Sequence, residues 1–271
     1  GMYRLLATDI DDTILAEDGS LPEENHRALE ELHRRGVTIV FSSGRATVSM
    51  QEVASRIVEP GDDEFLISYN GAKVVTMKSG TPVREWLITA DVVSEILSYT
   101  REHGIYVQGY TGGRAYTDST GPDTDLRRRE YEESTGMHVA KVPDLLETTG
   151  PASPKLLIID ETDRIPLHAE ELEKRSRGRY RVTRSKPHYL EIIHPAVSKG
   201  NALKELAREL GIPIEETVAV GDSFNDIEMV TTAGLGLAVA NALDEVKAVA
   251  DIVLDRTAGE GAIAEIADRF F

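Results

Sequence analysis

Short apolar runs of strand length alternate with amphipathic helical stretches along most of this chain. The first run, over residues 3–7, leads directly into the acidic stretch Asp9-Ile10-Asp11-Asp12-Thr13. Leu21-Pro22-Glu23-Glu24 then opens a helix with proline and acids in its first turn. Ala28, Leu29 and Leu32 give that helix an apolar side, and Gly36 ends it. Residues 37–41 are apolar and β-branched, which predicts a buried strand stopping at Ser42-Ser43-Gly44-Arg45. A helix is expected over 47–57 and a third strand over 65–68, followed by a hairpin of 73–77 with 83–87 around Ser79-Gly80. From Ser198 the same alternation returns: helix, strand over 217–220, helix over 227–232, strand over 235–239, helix over 243–250, short strand over 252–254 and closing helix over 262–270.

The middle of the chain has another texture. A helix is expected over 91–103, a hairpin of 105–110 with 114–117 turning at Gly112-Gly113, and a very polar helix over 125–134. Its Arg127-Arg128-Arg129 run reads as a solvated face. Residues 143–154, rich in Pro, Gly and Thr, read as a loop; strand 155–160, helix 162–177 and the strand pair 179–185 and 189–193 follow. This is an α+β module with antiparallel strands, inserted into a βα domain. The expected division is a core of residues 1–85 and 190–271 and an inserted domain of residues 86–189.

Composition narrows the class. The 271 residues are 41% hydrophobic and 28% charged, ordinary for a soluble globular protein. No apolar run approaches the ~18 residues of a membrane span, and no signal peptide pattern opens the chain; Gly1 before Met2 looks like an expression remnant. Cysteine is absent, so disulfides and thiolate chemistry are excluded, and a cytoplasmic setting is expected. A net charge of −17 repels nucleic acid and anionic membrane. It also repels phosphorylated substrates, so any phosphate site must be built locally from a cation, a lysine and backbone N–H groups.

Two of the apolar runs end in carboxylates. Asp9, Asp11 and Asp12 close the first, and Gly221-Asp222-Ser223-Phe224-Asn225-Asp226 follows the strand at 217–220. Each cluster alone would pass as a solvated turn or a helix cap. Two strands delivering carboxylates at their C-terminal ends instead describe the ligand crevice of an open α/β sheet, and hard cations such as Mg²⁺ take such oxygen ligands. Ser43-Gly44 places a hydroxyl and a glycine before a helix N-terminus, a pattern suited to phosphate oxygens and equally to a simple turn. Lys199, in the first turn of a helix capped by Ser198, opposes the helix dipole and is a functional candidate.

These four clusters, in this order, resemble the motifs of the haloacid dehalogenase superfamily of phosphatases. Asp9-Ile10-Asp11-Asp12-Thr13 is similar to its D-x-D-x-T motif, Ser43-Gly44-Arg45 to the second motif, Ser198-Lys199-Gly200 to the third and Gly221-Asp222-Ser223-Phe224-Asn225-Asp226 to G-D-x-x-N-D. The insertion resembles a type 2 cap, as in the Cof-like sugar-phosphate phosphatases, and Asn70-Gly71-Ala72 and Asn241-Ala242 look like that subgroup. Asp12 departs from the pattern, standing where many members have Gly.

The resemblance implies a Rossmannoid α/β core with a mainly parallel sheet and an inserted α+β cap. It further implies Asp9 as nucleophile and Asp11 as acid and base. Mg²⁺ would be held by Asp9, the Asp11 carbonyl and Asp222, with Asp226 supporting. Ser43, Gly44 and Lys199 would hold phosphate oxygens, Asn225 would contact phosphate or Lys199, and Arg45 would reach toward the substrate. The implied substrate is a small phosphorylated metabolite; Tyr110, Arg114, Lys186 and His188 are polar cap candidates for reading it. A phosphomutase of the same superfamily would keep all of these residues. A signalling receiver domain would be far shorter and lack G-D-x-x-N-D. A dinucleotide fold fails because Gly234-Leu235-Gly236 lacks its third glycine, with Val239 in that position.

Overall fold

A computed structural model describes residues 2–271; Gly1 lies outside them. The described residues form two compact units, residues 2–85 with 197–271 and residues 86–196 between them.

The first unit opens with β1 (Leu5–Asp9), α1 (Glu23–Arg34), β2 (Thr38–Ser42), α2 (Thr47–Ser55), β3 (Phe65–Ser68), β4 (Lys73–Thr76) and β5 (Pro82–Glu85). The second unit contributes β6 (Ile88–Thr89), α3 (Ala90–His103), β7 (Tyr106–Thr111), β8 (Arg114–Thr117), α4 (Thr124–Thr135) and β9 (Val139–Lys141). It continues with α5 (Leu145–Thr149), β10 (Ala152–Ser153), β11 (Leu156–Ile159), α6 (Ile165–Ser176), β12 (Arg181–Lys186) and β13 (Tyr189–Ile193). The first unit resumes with α7 (Lys199–Leu210), β14 (Thr217–Gly221), α8 (Ile227–Thr232), β15 (Leu235–Ala238), α9 (Asp244–Val249), β16 (Ile252–Val253) and α10 (Ala262–Phe270).

One eight-stranded sheet, ordered β16-β15-β14-β1-β2-β3-β4-β5, runs through the first unit. Its strands are parallel from β16 to β3; β4 runs against them, and β5, antiparallel to β4, returns to their direction. β1 is central and wholly buried, as its uninterrupted Leu5-Leu6-Ala7 run requires of a strand covered on both faces. Register pairs Leu5 with Thr217 on one side and Asp9 with Ser42 on the other, so the acidic and hydroxyl residues at the strand ends come out level. Leu29 and Leu32 of α1 and Leu203 and Leu206 of α7 are fully buried, each worth about 1.5–3 kcal/mol of burial.

The second unit has a six-stranded sheet, β12-β13-β11-β7-β8-β9, and a two-stranded ribbon of β6 with β10. Four features correct the sequence reading. The 143–154 stretch is not loop throughout: Asp144 caps α5 through its carboxylate, and β10 follows. The sheet is not purely antiparallel, since β9 pairs in parallel with β8. The expected boundary at 189/190 would cut β13 at its first residue; β13 pairs with β11 and β12, and the unit runs to Ala196. The arginine run is a solvated face only at Arg129: Arg127 is buried and bonds Glu161 at 2.9 Å, while Arg128 donates twice to the Val139 carbonyl. The second unit's Tyr110 is also interior, its hydroxyl accepting from Gln108 and donating to Tyr131.

Candidate active site

The C-terminal ends of β1, β2 and β14 lie side by side, and every candidate of the first unit gathers there. Asp9 is the last residue of β1 and is buried, with one carboxylate oxygen accepting from the Ile10 N–H at 2.8 Å. Asp222 and Asp226 follow β14, and oxygens of these three carboxylates lie within 4.8 Å of one another. Gly221 makes the approach possible, since a Cβ there would stand 2.4 Å from the Asp226 side chain.

Lys199 answers this charge. Its ammonium is fully buried, 2.7 Å from Asp226 Oδ1, 3.4 Å from Asp9 Oδ1 and within 3.4 Å of the Ser42 carbonyl. Ser198 caps the helix by accepting from the Asn201 N–H at 2.9 Å, which fixes the turn that carries Lys199. Gly200 lets α7 pack against α8, where a Cβ would meet the Glu228 carbonyl at 2.6 Å. The unfavourable position on the helix dipole is offset by two carboxylates.

The protonation pattern follows from this geometry. Burial, with Asp226 and Asp222 adding to it against the pull of Lys199, pushes the Asp9 carboxyl well above the usual range. Burial also raises Asp222. Burial alone would raise Asp226, but Lys199 and hydrogen bonds hold it below the usual value. Those bonds include the backbone N–H groups of Asp222 and Ser223, at 2.9 and 3.2 Å. One ammonium, paired with Asp9 and Asp226 only, stands among three carboxylates that form a buried, all-oxygen donor set. Such a set fits a hard divalent cation.

The remaining candidates stand around this cluster. Thr13 is buried and donates to Asp222 Oδ1 at 3.0 Å. Asp12 has φ = 60°, a left-handed geometry that Asp tolerates and Gly adopts freely, which explains how either residue serves there. Ser43 is buried, its hydroxyl accepting from the Arg45 N–H at 3.1 Å. Arg45 does not stand free: its Nε and Nη2 donate to Asp11 at 3.2 and 3.0 Å, and Nη1 donates to Ser49 at 3.2 Å. Asp11, its side chain half exposed, stands apart from the carboxylate trio.

Asn225 has a partner that the sequence reading did not name. It donates to Asn70 Oδ1 at 2.9 Å. Asn70, to which the sequence reading gave no role, has φ = 56°, and its amide oxygen would sit 3.1 Å from a Cβ at Gly44. Its backbone N–H donates to the Ser43 carbonyl at 3.0 Å. Asn70 thus ties the β2 end to the β14 end, a role visible in sequence only as an Asn-Gly pair.

The haloacid dehalogenase-like hydrolase family matches residues 6–266. This chain belongs to that family. It is 31% identical over 280 residues to the phosphatase YwpJ of Bacillus subtilis, covering 92% of this chain and 94% of the relative. It is 28% identical over 258 residues to the B. subtilis 5-amino-6-(5-phospho-D-ribitylamino)uracil phosphatase YcsE, covering 95% and 92%. The solved structure of TM0651 from Thermotoga maritima superposes with a TM-score of 0.88 at 30% identity, over 99% of this chain and 98% of that one. As a Cof-like haloacid dehalogenase member the chain is a phosphatase, and no helix among the described residues is long and apolar enough to cross a membrane.

Proposed function

We propose that this phosphatase hydrolyses small phosphomonoesters through an aspartyl phosphate formed on Asp9, with Mg²⁺ as cofactor. The observation that carries the reading is the buried cluster in which Lys199 lies 3.4 Å from Asp9 and 2.7 Å from Asp226. Asp9 sits among groups suited to holding phosphate. The Ser43 hydroxyl, the Gly44 N–H and the Lys199 ammonium bind the phosphate oxygens, offsetting the repulsion of a chain of net charge −17. Asn225, bonded to Asn70, steadies the β14 loop beside them.

In the first step an Asp9 oxygen attacks phosphorus and the bond to the leaving oxygen breaks, while Asp11 gives that oxygen a proton. In the second, Asp11 takes a proton from water, the water oxygen attacks phosphorus, and phosphate leaves with Asp9 restored. Asp9, the Asp11 carbonyl and Asp222, with Asp226 behind them, would hold Mg²⁺, which when bound neutralises phosphate charge. The inserted unit serves as the cap of this family and selects the leaving group, with Arg114, Lys186 and His188 as polar candidates, whereas Tyr110 is interior to that unit. YcsE, named for a phosphorylated ribitylaminouracil, supports a small metabolite as substrate. The absence of cysteine fits work in the cytoplasm.

The test is phosphate release from a panel of sugar phosphates, phosphoglycolate, nucleotides and pyridoxal phosphate, in chelator and with Mg²⁺ restored. Mg²⁺-dependent release with a ranked preference supports the proposal. Release that persists undiminished in chelator overturns the metal assignment, and transfer of the phosphoryl group to a sugar instead of water identifies a phosphomutase.

A further inference from the structure

Arg45 carries an inference that the hydrolytic scheme does not contain. Its guanidinium makes a side-on, two-bond contact with the Asp11 carboxylate, Nε to Oδ2 at 3.2 Å and Nη2 to Oδ1 at 3.0 Å. The third nitrogen is tied to Ser49 on α2 at 3.2 Å. The backbone of Arg45 is fixed at both ends, its N–H on the Ser43 hydroxyl and its carbonyl accepting from the Tyr69 N–H at 2.9 Å. The arginine is therefore built into the β2–α2 connection next to the phosphate-holding Ser43 and Gly44. Asp11 is the more exposed partner: the two side chains are 36% and 51% exposed.

An Asp11 carboxylate occupied on both oxygens by Arg45 is not positioned to serve a leaving oxygen. A guanidinium occupied by Asp11 offers only its Ser49-facing edge to a phosphate. The planar fork of arginine matches a carboxylate and a phosphate equally well, so the two compete for the same donors. We propose that Arg45 and Asp11 form a resting latch which an arriving phosphate opens. The phosphate takes the Nε and Nη2 donors in place of Asp11, and the freed carboxylate turns to the leaving oxygen. Arg45 is thus a positioning residue for Asp11, and phosphate binding and deployment of the acid become one event. The inference rests on the assignment of Asp11 as acid and base.

The test is a double-mutant cycle on the affinity of inorganic phosphate, measured by titration calorimetry on the intact Mg²⁺-loaded protein for the wild type, Arg45→Ala, Asp11→Asn and the double variant. Arg45→Ala is expected to weaken phosphate binding by roughly tenfold or more, as loss of charged hydrogen bonds does. Asp11→Asn is expected to tighten it by roughly two- to fivefold, the worth of the half-exposed pair that no longer has to break. In the Arg45→Ala background Asp11→Asn should tighten it distinctly less. Unchanged affinity in Arg45→Ala overturns the exchange. Equal tightening in both backgrounds overturns it too, because removal of repulsion would then be the whole effect. Weaker binding in Asp11→Asn would mean that Asp11 aims Arg45 at phosphate, a fixed scaffold instead of a latch. Mg²⁺-dependent turnover by the wild type, measured separately, tells failure of the latch apart from failure of the hydrolytic assignment.

Discussion

Lys199 Nζ and Asp226 Oδ1 lie 2.7 Å apart with neither side chain reaching solvent. Removing one member of such a pair leaves the other charged and buried, at a cost of about 3–5 kcal/mol. Lys199→Ala should therefore lower the unfolding free energy by that order in denaturant titrations, besides abolishing phosphate release. A stability unchanged from wild type would show that the cluster relaxes to admit water or protons.

Asp9 presents the opposite balance. Burial and two neighbouring carboxylates disfavour its charge more than Lys199 favours it. Asp9→Asn keeps the shape and removes the charge, so it should eliminate turnover while making the chelated protein more stable. A gain of ~1 kcal/mol would raise Tm by about 2–4 °C in a chain of this size. Thermal melts in chelator check this, and a lower Tm would contradict the repulsion argument.

Gly71 has φ = 107°, and a Cβ there would lie 2.2 Å from the Ser198 carbonyl. Ser198 is the cap of the helix that begins with Lys199. Gly71→Ala should cost about 1–3 kcal/mol in backbone strain and displace the lysine's turn, so that phosphate release falls further than stability does. Measuring both in one preparation separates the effects, and intact turnover would show that the turn yields elsewhere.

Glu265 supplies the pH dependence. Burial alone would raise its carboxyl, but Arg269 and the backbone N–H groups of Asp255 and Arg256 outweigh it and hold the pKa below the ordinary value. A depressed carboxyl contributes stability that is present above the unfolded pKa of about 4.5 and is lost as pH falls through the folded value. Denaturant titrations from pH 6 to pH 3, taken as about the range of carboxylate titration, should show wild type losing more stability than Glu265→Gln. Parallel curves would remove Glu265 from the acid response.

The residues of the candidate site stand out in the sequence because they sit where periodicity changes. Asp9, Ser43 and Asp222 each terminate an apolar run, and a parallel sheet brings such ends together. What stayed hidden depends on contacts between distant segments. α5 and β10 are too short to show a period and exist through the Asp144 cap and pairing with β6. Arg127 looks solvated in a polar helix until Glu161, 34 residues on, comes to meet it. The Asn225–Asn70 bond spans 155 residues, and no spacing rule reaches that far.

β1 takes its partners on one side from β2, close behind it, and on the other from β14, more than two hundred residues later. During synthesis at ~5–20 residues per second the whole inserted unit leaves the ribosome before Thr217 does. Through that interval the central strand of the finished sheet is an edge, apolar and unpaired, of the kind that invites pairing with other chains. The nascent chain thus has a period of vulnerability set by the length of its insertion. The length of residues 86–196 thus sets how long β1 waits for β14 during synthesis, a cost of the insertion separate from whatever it contributes to the finished enzyme.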